Sequence, residues 1–295
     1  MVLFECCCQC LQDVEGAIRG GAGRIELCSD LAVGGVTPDE ALIVEALSAC
    51  RGAEVGPQVQ LVCSGTGEES PEVQSACCGT EAGPQAQLAC RGAEVGPQVQ
   101  LVCSGTGEVG PEAQEVLSGG VAVNVLVRPR AGDFVYSEDE VRLMMEQICT
   151  CKRLGVNGVV IGALTREGDI DLPLMRRLVD AARPLDVTFH RAFDECRNPA
   201  VALEDVISLG CERLLTSGCA PSAEEGKELL AQLMRQAARR IIIMPGAGIK
   251  PGNAAAIAAA VQTTEYHGSA HGASGFTDSE TVKQIRTSLQ SVISG

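Results

Sequence analysis

Residues able to carry chemistry recur two apart in this sequence: Glu5 and Cys7; Arg24, Glu26 and Cys28; Asn124 and Arg128; Thr188 and His190; Glu265, His267 and Ser269. On an extended strand, residues two apart share a face. Each set would therefore project to one side of its strand, where a purely structural interior would hold Val, Ile and Leu. Buried charge is costly unless paired, so a polar face of this kind needs an explanation.

Three kinds of chemistry fit it. Cys7 and Cys28, facing the same way on neighbouring strands ~4.8 Å apart, could place two sulfurs on one soft ion. Thiolates select Cu(I) or Zn, and a near-linear two-sulfur site suits Cu(I); two buried small apolar side chains are the plain alternative. Arg128, His190, His267 and Glu26 could instead form an acid–base site for a small anionic substrate, with Arg128 as clamp, the histidines as general acid and base, and Glu5, Glu26 or Glu265 tuning or taking protons. The structural counterpart is an ionic layer in which Glu5, Glu26 and Glu265 pair with Arg24 and Arg128. Finally, Met244-Pro245-Gly246-Ala247-Gly248 could cradle an anion through Gly246 and Gly248, closed by Ser269. In Arg128-Pro129-Arg130 a second arginine stands beside the clamp, with a surface ion pair as its alternative role.

The elements needed to hold these residues can be read from periodicity. Short apolar runs at 3–7, 24–28, 121–128, 158–163, 186–191, 212–217, 240–244 and 264–269 alternate with helical patterns near 13–20, 38–49, 138–154, 172–183, 199–209, 222–238, 251–261 and 278–293. Eight strand-helix units predict an α/β fold, a (β/α)8 TIM-type barrel, with an open doubly wound sheet as the other arrangement. In a barrel the chemistry gathers at the C-terminal ends of the strands, where Cys28, Arg128, His190 and His267 fall. The four lysines, at 152, 227, 250 and 283, sit in helices or after the seventh strand, which disfavours Schiff-base chemistry. No GxGxxG or GxxxxGK[ST] segment is present.

One segment breaks the alternation. Residues 50–68 recur identically at 90–108, and a shorter Pro-containing unit repeats through 50–119. That segment reads as a low-complexity insert between the second helix and third strand, with little apolar surface to bury. It divides the barrel into residues 1–49, with two β/α units, and 120–295, with six. It holds Cys50, Cys63, Cys77, Cys78, Cys90 and Cys103, together with nine Glu and two Arg. An αβ connection lies on the face opposite the chemistry, so a barrel can carry such an insert and keep its site.

Composition narrows the function. With 38 Asp+Glu against 23 Lys+Arg, the formal charge is −15, which argues against nucleic-acid and membrane-surface partners. No apolar run reaches the ~18 residues of a membrane span, and MVLFECCCQC lacks the basic start of a signal peptide. The expectation is an intracellular protein whose sixteen cysteines are mostly free thiols. Aromatics reach only 2%, so aliphatic side chains must fill the core.

In order along the chain, RIELCSDLAVGGVTPDEAL, VLVRPRAGDFVYSEDE, GVVIGALTREGDID, RPLDVTFHRAFDE, LGCERLLTSGCAPSAEEG, IIIMPGAGI and TEYHGSA resemble the CutC copper homeostasis family. The resemblance covers most of the chain outside the insert. It implies a (β/α)8 barrel, Cu(I) held by paired cysteines that fall on Cys7 and Cys28, assembly as a homodimer or homotetramer, and a cytoplasmic location, also nuclear in animals. Departures from the family pattern stand at Gln9 and Cys10, Asp30, Ala131, Ala247 and His271. Ala131 and Ala247 replace glycine and would be strained wherever the backbone needs positive φ. His271 stands where an arginine is usual and weakens the anion cradle of that loop.

Overall fold

A computed structural model describes residues 2–52 and 120–293; of the insert expected over 50–119, residues 53–119 lie outside the described residues, while Cys50 is helical and buried. Eight strands, β1 (Leu3–Cys8), β2 (Arg24–Leu27), β3 (Ala122–Leu126), β4 (Gly158–Ile161), β5 (Asp186–Phe189), β6 (Arg213–Thr216), β7 (Ile242–Pro245) and β8 (Glu265–Gly268), alternate with eight α-helices. The helices are α1 (Leu11–Gly20), α2 (Glu40–Cys50), α3 (Glu138–Leu154), α4 (Leu172–Ala182), α5 (Pro199–Ser208), α6 (Lys227–Ala237), α7 (Ala254–Val261) and α8 (Ser279–Ile293). All ladder pairings are parallel, in the order β7-β6-β5-β4-β3-β2-β1-β8. β7 and β8 close the ring side by side. Thr263, just before β8, donates its Oγ1 to the Ile243 carbonyl at 2.6 Å. The predicted (β/α)8 barrel is the observed fold.

Local signals account for the elements. Ser137 and Glu140 form a reciprocal capping box at the start of α3. Asp171 and Asn198 cap α4 and α5, each with proline in the first turn. Gly155 ends α3 at φ 74°. The main departure is at α6, which begins at Lys227 rather than near 222, because residues 221–226 turn before the helix starts.

Strand alternation sorts the side chains. One parity, including Phe4, Ile25, Val123, Val125, Ile161, Phe189 and Tyr266, is buried beneath the helices in a single apolar cluster. The other parity faces the barrel axis and carries Glu5, Arg24, Glu26, Asn124, Thr188, Glu265 and His267, all buried. A separate small apolar cluster of Cys7, Cys28, Leu126 and Val160 caps this polar interior. Parallel strands covered by helices are expected to be apolar on both faces, so the inward parity marks the functional part of the barrel.

Candidate functional site

The interior is built in two levels. In the lower one, Arg24 bridges Glu5 and Glu265, the latter at 2.5 Å, and Arg213 joins Glu265 to Asp186 at 2.9 Å on both sides. The register places Glu5 opposite Arg24 on β2 and opposite His267 on β8, which is why one carboxylate meets both. Burial alone would raise the pKa of Glu5, but Arg24 and His267 overcome it and hold the group at about 2. This level is the ionic layer that the sequence suggested, with two corrections. Glu26 faces His267 rather than an arginine, and Arg128 pairs with no carboxylate among the described residues. Arg213 was missed; its signal was a charge inside the sixth apolar run.

The upper level opens into a cavity of about 250 Å³ lined by Cys7, Glu26, Cys28, Arg128, His190, His267, Gly248 and Ser269, with apolar walls from Leu31, Leu126, Phe134 and Leu215. The seven candidates Cys7, Cys28, Glu26, Arg128, His190, His267 and Ser269, together with Gly248, are therefore brought to one place at the C-terminal end of the strands. Gly246 is not among them. Its N–H donates to the Thr216 carbonyl at 3.0 Å, and a Cβ there would stand 2.5 Å from Leu215 Cδ1, so this glycine serves close packing between β6 and β7. Arg130 lies outside the cavity and pairs with Glu140 at 2.5 Å and Asp133 at 2.9 Å, the surface role. His271 is exposed on the loop after β8.

Cys7 and Cys28 approach to 3.7 Å between Sγ atoms. The Cys28 hydrogen bond, burial and the Glu26 carboxylate together push the Cys7 thiol well above its ordinary pKa. Cys7 also belongs to a second group: its Sγ, one Glu26 oxygen and one His267 ring nitrogen lie within 4.8 Å of one another. The register Cys7↔Glu26 and Glu5↔His267 joins the thiol pair to the acid–base residues through Cys7.

His267 sits between two carboxylates, with Nδ1 2.8 Å from Glu5 and Nε2 3.3 Å from Glu26. Burial opposes its charge, but Glu26 and Glu5 raise its pKa above the ordinary value. Burial raises Glu26 as well, only partly countered by His267. His190 is the opposite case. Burial and the nearby Arg128 charge bring it down to about 3, so the ring is neutral. Its Nδ1 accepts the Ala192 N–H at 3.1 Å, which assigns the proton to Nε2. Gly162 makes room for that ring, since a Cβ there would lie 2.5 Å from His190 Nδ1.

Arg128 is held by backbone. Its Nη1 donates to the carbonyls of Val33 and Gly35 at 3.1 and 2.8 Å, and its Nη2 to Gly132 at 2.7 Å. The guanidinium lies 4.9 Å from the Phe134 ring centre, and that ring is 5.0 Å from His190. Phe134 thus orients both polar groups, a role not read from its motif. Ala247 adopts φ 73°, so the glycine preference at this position has a conformational cause; Asp30, another departure from the family pattern, also has positive φ, at 56°. Ala131 has no such φ.

The sequence profile of the CutC family matches residues 2–56 and 103–272. A CutC family protein of Parabacteroides distasonis is 53% identical over 156 residues, covering 53% of this chain and 64% of its own length, so less than two thirds of that relative is spanned. One from Pasteurella multocida is 38% identical over 269 residues, covering 91% of this chain and 82% of its own length. Among solved structures, a CutC assigned to copper homeostasis in Streptococcus agalactiae superposes with TM-score 0.64 at 25% identity, over 91% of this chain and 99% of that one. On this profile match and these relatives, the chain belongs to the CutC family.

Proposed function

We infer that this protein takes part in copper homeostasis by holding Cu(I) through Cys7 and Cys28. The observation that carries this reading is the 3.7 Å approach of two buried sulfurs in an apolar setting. Soft, weakly hydrated Cu(I) favours such a donor pair over carboxylates and water. With metal–sulfur bonds of ~2.3 Å, two sulfurs in line would stand about 4.6 Å apart. The two thiols would be the first donors to such an ion, and a neighbouring group could add a third. His267 and Glu26 are grouped with Cys7, and the imidazole is the softer of the two. Loading must displace the thiol protons, so affinity should rise with pH. The named Streptococcus relative supports copper as cargo. A cytoplasmic location fits the reading too, because the described cysteines are free and no helix among the described residues is long and apolar enough to cross a membrane.

The test is an anaerobic Cu(I) competition titration against a chromogenic chelator, on the full chain and on its Cys7→Ser/Cys28→Ser variant. Loss of one tight equivalent in the variant supports the site. Equal titrations would remove it, since the remaining cysteines are common to both proteins.

A second reading is favoured by the Glu26–His267 pair at 3.3 Å in the cavity: an acid–base enzyme acting on a small anionic substrate. One buried proton shared between these groups could be delivered to or taken from a bound molecule. Under this reading Glu26→Gln abolishes turnover.

A further inference from the structure

Two buried hydrogen-bond donors in the cavity have no partner. Arg128 is 6% exposed and His190 4% exposed, and Arg128 Nε and His190 Nε2 are both fully covered without a hydrogen-bond acceptor among the described residues. Leaving such buried groups unpaired is costly, and more so when they are charged. The acceptors Arg128 does have are neutral, the carbonyls of Val33, Gly35 and Gly132 and the nearby Tyr136 hydroxyl, so no carboxylate among the described residues answers its buried charge. The two side chains line one cavity and are packed on the same Phe134 ring. We propose that Arg128 Nε–H and His190 Nε2–H together bind the carboxylate of a small organic acid.

Charge selects the class. The site offers one uncompensated positive charge and one neutral donor. Arg191, the other cation on the rim, is already paired with Asp194 at 2.8 Å. Glu26 and His267 line the same cavity but are paired with each other at 3.3 Å, so neither adds a free charge. A monoanionic carboxylate satisfies both donors, whereas a phosphate dianion would bring a second charge with nothing to meet it. Size agrees: about 250 Å³ falls below the ~300–1,000 Å³ of sites for drug-sized ligands. Leu31, Leu126 and Leu215 offer walls for a short carbon skeleton. The carboxylate end at Arg128 and His190 would leave the rest of the molecule facing Cys7, Glu26 and His267. The inference extends the acid–base reading by naming its substrate class, and it does not depend on copper.

The chain has three histidines, so their ring nitrogens can be followed individually by long-range 1H–15N NMR on the full-length protein. Titration with pyruvate should shift His190 Nε2–H saturably and leave exposed His271 unmoved. Arg128→Lys keeps the charge and donors for the carbonyls but removes Nε–H; it should weaken pyruvate tenfold or more. His190→Phe should do the same while leaving the Cu(I) titration unchanged. The proposal is overturned if pyruvate gives no saturable shift up to tens of millimolar, if chloride or inorganic phosphate reproduces the shift at equal concentration, or if a folded Arg128→Lys protein binds pyruvate as tightly as the parent. Carboxylate binding without any turnover would sustain this site and remove only the acid–base reading.

Discussion

His267 Nδ1 lies 2.8 Å from Glu5 Oε1, across the ladder between β8 and β1, and this contact couples the ionic layer of the barrel to its open cavity. Glu5 is fully buried and also held by Arg24. Breaking one member of such a network strands the others, at about 3–5 kcal/mol. Glu5→Gln should therefore lower the unfolding free energy by that order in urea denaturation. Glu26 is buried without an arginine, so Glu26→Gln should cost less than about 1 kcal/mol or stabilise the fold. Equal losses in the two variants would contradict this division of roles.

The same groups set the acid limb of stability. Glu5 moves from 4.5 to about 2 on folding, so its contribution is fully present above pH 4.5 and is lost as pH falls through 2. The Glu5→Gln variant should show a flatter stability profile over that window. Glu26 is raised, and its contribution has the opposite sign: it costs stability as pH climbs past 4.5. Urea midpoints measured from pH 2 to 7 would separate the two slopes.

The two cavity histidines should titrate on opposite sides of the ordinary value. His267, raised by Glu26 and Glu5, should carry its proton above pH 6.5. The stability it adds is present below 6.5 and is lost as pH rises through its folded-state value. His190 should remain a neutral Nε2–H tautomer from pH 8 down to about 3. Ring 15N shifts followed with pH report both, and a His190 that protonates near pH 6 would refute the assignment.

The barrel was legible because strand-helix alternation needs only local signals, and all eight strands fall within the predicted runs to one or two residues. The convergence of Cys7, Cys28, Arg128, His190 and His267 followed from parity alone, since the fold fixes which strand ends meet. What parity could not supply was the partner of each charge. Glu26 and Glu5 share a face of neighbouring strands, yet Glu26 meets His267 while Glu5 meets both His267 and Arg24, because pairing depends on stagger between strands. The role of Gly246 was open for a related reason. A glycine beside an anion and a glycine beside a leucine read the same until the neighbouring strand is in position.

Cys10 is the N-cap of α1, in extended conformation and without a side-chain cap bond; its Sγ lies 3.3 Å from Asp13. Serine presents a better acceptor to the first helical N–H groups. Cys10→Ser should add about 0.5–1 kcal/mol, read as a higher urea midpoint with unchanged slope. No gain would mean that the Asp13 carboxylate, which already accepts the Gln9 and Thr277 N–H groups, substitutes for the cap.

The left-handed backbone at Ala247 gives the sharpest contrast between two similar substitutions. A non-glycine residue at positive φ costs about 1–2 kcal/mol, and Ala247 has φ 73° on the cavity rim. Ala247→Gly removes that strain but adds freedom to the unfolded chain, leaving a net gain of about 0.5–1 kcal/mol. Ala131 has no positive φ, so Ala131→Gly brings only the entropic penalty and should lose about 0.4–1 kcal/mol. Opposite shifts of the urea midpoint in the two variants would show that the departure at 247 strains the loop and that at 131 does not. Shifts of the same sign would mean that the loop after β7 relaxes its backbone in solution.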